Sequence, residues 1–71
     1  MGHWNYRVVR KNGYLGIHEV YYDDSGNIHN LSIEPVSLVY EDLEQIKTNL
    51  EWMMDALGKN VIDFEQIYPD L

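Results

Sequence analysis

Histidine, carboxylate and hydroxyl side chains are the groups through which this chain could do chemistry, and their spacing decides whether they can act together. The histidines are His3, His18 and His29. No two stand at the His-x-x-x-His spacing that puts both rings on one helical face, so a helical metal pair is not expected. There is no cysteine, which removes thiolate metal sites, disulfides and cysteine nucleophiles together. Gly2-His3 beside a free amino terminus offers backbone nitrogens to copper or nickel, a property many unrelated sequences share. Asp23, Asp24, Ser25 and Asn27 resemble the start of a calcium loop, but the run Ile28-His29-Asn30-Leu31 lacks the glutamate that closes one. A hairpin turn accounts for the same residues. The expectation is no metal and no cofactor.

The elements that must position these groups follow from turn chemistry. Residues 4–11 are rich in aromatic and β-branched side chains and read as a strand. Asn12-Gly13 then suits a two-residue type I′ turn, which needs positive φ at both central positions. Residues 14–22 form the returning strand, with Tyr6 opposite Glu19 and Val8 opposite Ile17. Asp23 to Asn27 fits a type I turn closed by glycine in the left-handed region. That turn places Leu31 opposite Glu19, Ile33 opposite Ile17 and His29 opposite Tyr21. Trp4, Tyr6, Val8, Leu15, Ile17, Tyr21, Leu31 and Ile33 then share one apolar face of a three-stranded meander. Glu19 falls among them, and a buried carboxylate must be hydrogen-bonded or protonated. Glu19 with Tyr6 and His29 is therefore a candidate buried polar site, either a tuned acid or a structural bond to a tyrosine hydroxyl.

Pro35 ends the third strand. Asp42-Leu43-Glu44-Gln45 has the form of a capping box opening a helix from about Leu43 to Leu57. Leu43, Ile46, Leu50, Met53 and Leu57 recur three and four apart and form its apolar stripe. Trp52, Met53 and Met54 read as core and core margin rather than a cofactor box. Gly58 suits the helix end. Val61, Ile62 and Phe64 form a fourth strand or an extended cover. The fold class expected is α+β: a three-stranded antiparallel meander covered on one face by a single helix. If residues 61–64 pair, a right-handed crossover gives the order 3-2-1-4.

Such a sheet leaves its other face open. Arg7, Val9, Tyr14, His18, Val20 and Tyr22 lie there, too apolar a set for an ideal solvent surface, and make a candidate interaction face for a protein partner or a second copy. Arg7 and His18 could also bind an anion, although cross-strand pairing explains them more simply.

Composition bounds the rest. The 71 residues suffice for one domain, residues 1–71, with 45% hydrophobic side chains and a net charge of −7. Up to residue 22, Arg7, Arg10 and Lys11 face only Glu19; beyond it Lys47 and Lys59 face every other carboxylate. That surface repels phosphate backbones, so no nucleic acid partner is expected. No apolar run approaches the roughly 18 residues a membrane span needs. Gly2 invites a myristoylation reading, but Tyr6 stands where serine or threonine is required. With no export signal, the cytoplasm is the expected location.

Trp4-Asn5-Tyr6-Arg7-Val8, Ile17-His18-Glu19-Val20-Tyr21-Tyr22-Asp23, Pro35-Val36, Leu43-Glu44 through Met54-Ala56-Leu57 and Val61-Ile62-Asp63-Phe64 resemble a group of small bacterial and phage proteins of unknown function. The resemblance implies a bacterial or phage origin and brings no activity with it. In element order the chain is also similar to HicB-like antitoxin domains, without their Pro-Gly-Cys segment after the third strand. Neither resemblance carries a functional residue. The sequence thus leads to a small acidic non-enzymatic interaction or regulatory module. The alternative is a ligand-binding or catalytic domain using Glu19, Tyr6 and His29.

Overall fold

A computed structural model describes residues 3–70. Gly2, on which the myristoylation and copper readings turn, lies outside them. The elements are β1 (His3–Lys11), β2 (Tyr14–Tyr22), β3 (Ile28–Leu31), α1 (Leu43–Ala56), β4 (Ile62–Asp63) and α2 (Phe64–Ile67). The sheet order is β3-β2-β1-β4. β1 and β2 pair antiparallel from His3↔Tyr22 to Lys11↔Tyr14 across the expected turn. Asn12 and Gly13 both have positive φ, 54° and 81°, as a type I′ turn demands. β4 runs parallel to β1, so the sheet is mixed rather than wholly antiparallel. A chain that leaves β3 on one edge, passes through a helix and returns beside β1 arrives in that direction.

The third strand departs from the expected register. The Asp23 N–H donates to the Asn27 carbonyl at 2.9 Å and Gly26 has φ 85°, so the turn is the expected one. Tyr22 pairs with Ile28, but Tyr21 pairs with Asn30 and Val20 with Leu31. His29 is the extra residue of a β-bulge. Beyond a bulge the side chains change faces. Ile28 and Leu31 are three apart and would face opposite ways in a regular strand; the bulge puts both on the side of the core that holds Val20. Tyr68 holds this arrangement. The Leu31 N–H donates to its hydroxyl at 3.1 Å, and that hydroxyl donates to the Asn30 side-chain oxygen.

Two cores result, one on each face of the sheet. On one face Tyr6 and Val8 of β1 meet Met53 and Ala56 of α1, with Ile17 and Val36 at the margin. On the other, Val9, Val20 and Leu31 meet Phe64, with Ile28, Ile62, Ile67 and Tyr68 packed around them. The meander is therefore not covered on one face by a single helix. Residues 62–68, with the short α2, close the second face as well. A small domain needs every apolar contact it can reach, and Phe64 brings a large one.

The helix starts as expected: the Asp42 carboxylate accepts from the Gln45 N–H at 2.9 Å, while the Gln45 side-chain oxygen accepts from the Glu41 N–H at 3.2 Å. Its buried line differs. Met53 and Ala56 are buried, whereas Leu43, Leu50 and Leu57 are exposed. At 100° per residue, the buried line lies roughly 70° around the helix from the expected stripe. The cause is at β1. The Tyr6 hydroxyl donates to the Asn49 side-chain oxygen at 2.6 Å, and the small Ala56 lets the helix lie close over Val8. α1 thus sits above β1, and its leucine side overhangs β2.

Candidate functional site

The candidate interaction face is closed. Val9 and Val20 are 0% exposed and His18 2%. His18 donates from Nδ1 to the Ser32 carbonyl at 2.8 Å and packs beside the Phe64 ring. Arg7 donates to the Tyr22 hydroxyl at 3.2 Å and the Asn60 carbonyl at 2.7 Å, tying the segment before β4 to β1. Tyr22 in turn donates to the Asn5 side-chain oxygen and stacks on His3. Of the six residues, Tyr14 alone stays well exposed, at the strand end. The expectation of an open face fails because Ile62 and Phe64 pack on this side of the sheet.

Glu19, Tyr6 and His29 do not assemble. His29 is exposed in the bulge. Glu19 remains beside Tyr6 in the register, but its carboxylate accepts from the Tyr21 hydroxyl. Tyr6 is buried and bonded to Asn49, with the Tyr40 hydroxyl at 3.3 Å. Burial, and then Tyr40, push the Tyr6 phenol well above its ordinary range. Tyr21 is raised too, first by its bond to Glu19. Both hydroxyls already donate within the fold, Tyr6 to Asn49 and Tyr21 to Glu19.

Two other surfaces stand out. The overhang of α1 leaves an apolar groove of about 500 Å³ above β2, walled by Leu50, Met54 and Leu57 on one side and Pro35, Val36 and Leu38 on the other, with Ile17 beneath. Met54 is 68% exposed. On the opposite flank of α1 lies a cleft of about 300 Å³ lined by Trp4, Asn5, Tyr6, Trp52 and Asp55. Trp4 meets Trp52 edge-to-face with centroids 6.2 Å apart, and meets Tyr6 likewise at 5.1 Å. Both indoles are about half exposed. Helical spacing alone puts Trp52 at the core margin; with Met53 and Ala56 turned to the sheet, Trp52 lies over Trp4.

The basic side chains are largely spent within the fold. Besides Arg7, Arg10 pairs with Asp63 at 3.2 Å and Lys59 with Asp55 at 2.7 Å. Lys11 donates to the Ile33 carbonyl at 2.7 Å and lies over the Phe64 ring. Among the described residues no group of three or more His, Asp or Glu is placed to hold a metal ion. Among them also, no helix is long and apolar enough to cross a membrane. Comparison with protein-family models, curated proteins and solved structures finds no match to this chain.

Proposed function

We propose that this protein is a non-enzymatic interaction module that binds a partner protein in the groove between α1 and residues 35–38. The observation that carries this reading is the continuity of the exposed apolar side chains there. Leu50, Met54 and Leu57 recur along one helix flank and face Val36 and Leu38 across an open channel. Contiguous apolar surface of this kind on a small domain marks an interaction site. Its shape suits an amphipathic helix laid along it, and methionine adapts to such a guest. The net charge of −7, with most cations internally paired, favours a guest with a basic rim.

Met54→Asp tests it, because Met54 is exposed and its replacement spares both cores. The native chain retains a partner on an affinity column, and Met54→Asp loses that association at unchanged thermal midpoint. Equal association by both chains would remove the groove from the account.

A further inference from the structure

The opposite flank of α1 carries a second, independent feature. β1 is bordered by β2 along its whole length, but β4 covers its far edge only at Val9 and Arg10. Among the described residues, 3–7 of β1 have no strand partner on that side. Every second residue of such an edge directs its N–H and C=O outwards, a template for another extended chain. The Trp4–Trp52 cleft opens beside this stretch.

The cleft has the chemistry of a cation receptor. Two indoles at 86° form perpendicular walls. Tyr6 adds a third ring, also at 86° to Trp4. Indole faces attract ammonium and guanidinium groups through the ring quadrupole. Asp55 lines the same cleft, and Lys59 engages its Oδ2 atom, leaving Oδ1 to a guest. Glu19 lies one strand away, beside Tyr6.

We propose that the free edge of β1 and this cleft together bind an extended basic segment of a partner protein, which adds a strand beside residues 3–7 and seats an arginine or lysine between Trp4 and Trp52. Charge complementarity selects this occupant. A second copy carries a further net charge of −7, whereas a basic strand brings a cation to the ring faces and to the Asp55 oxygen that Lys59 leaves. Main-chain bonds supply register, and the cleft supplies side-chain choice. This site is separate from the groove, so Met54→Asp leaves it intact.

The probe is a short acetylated and amidated peptide of alternating threonine and valine with one central arginine, titrated into the isotope-labelled full chain. Expected are shifts of the Trp4 and Trp52 indole N–H signals together with the amides of residues 3–7. Replacing the arginine by citrulline, its neutral isostere, weakens binding about tenfold, and Trp52→Ala weakens it about fivefold or more. Asp55→Asn costs roughly threefold at low salt and less at high salt. N-methylating alternate peptide nitrogens, in the phase that faces β1, weakens binding about tenfold or more. Trp52 and Asp55 lie at the surface, and unchanged spectra elsewhere establish that these variants fold. Equal binding of the citrulline peptide overturns the cation site. Equal binding of both N-methylated phases, or of arginine amide alone, overturns strand addition. No shift at millimolar peptide overturns both.

Discussion

Phe64→Ala is the perturbation that bears most heavily on this architecture. Phe64 is 4% exposed and closes the second core against Val9, Val20 and Leu31. Its ring also meets Tyr68 edge-to-face at 5.2 Å and lies under the Lys11 ammonium at 4.7 Å. Truncating a buried phenylalanine to alanine costs about 3–5 kcal/mol. A chain of this length has a total stability of about 4–11 kcal/mol. The substitution therefore removes about a quarter of the stability or more. In urea, with a slope of about 1 kcal/mol per molar for so small a domain, the midpoint falls by about 3 M or more. Trp4 and Trp52 lie on the other side of the sheet, so their fluorescence reports global unfolding and not the local deletion. Phe64→Leu keeps most of the volume and costs about 1 kcal/mol, which covers the case in which alanine abolishes folding. A loss below about 1 kcal/mol for Phe64→Ala would refute the claim that residues 62–68 close this face.

Three further outcomes follow from particular contacts. Unfolded tyrosine releases its proton near pH 10, while folded Tyr6 holds its own to higher pH. Its contribution is thus complete below pH 10, and stability falls by about 1.4 kcal/mol per pH unit above it; Tyr6→Phe flattens that fall in alkaline urea titrations and costs about 1–2 kcal/mol at neutral pH. Asp42→Ala removes the bond to the Gln45 N–H and lowers stability by about 1 kcal/mol, with Asp42→Asn nearly neutral in thermal melts. Gly26→Ala meets open space at φ 85°, so its cost of about 1–2 kcal/mol in the same melts is backbone strain alone.

The parts of the fold legible in the sequence are those decided within a few residues. Asn12-Gly13 fixed the first hairpin and its register, and Asp42 the start of α1, because turn and cap chemistry are local. The bulge at His29 depends on Tyr68, whose hydroxyl bonds Leu31 across 37 residues of sequence, and on a core that residues 62–68 create. A reading that pairs strands by turn geometry alone carries Leu31 to the wrong face and leaves Val9 and Val20 open. The buried line of α1 departs from the leucine stripe for a related reason. Leucine spacing gives a helix an apolar side, but Asn49 and Ala56 decide which side β1 accepts. The two proposed binding surfaces both follow from the side α1 turns to β1, which leaves Leu50 and Met54 exposed on one flank and Trp52 over Trp4 on the other.

Accessibility of the methyl groups to a soluble paramagnetic agent, read by NMR on the labelled chain, tests inside against outside in one measurement. The expected result is strong broadening of Leu50, Met54 and Leu57 with Val9, Val20 and Leu31 protected. Broadened Val9 and Val20 methyls beside a protected Met54 would restore an open sheet face and contradict the account.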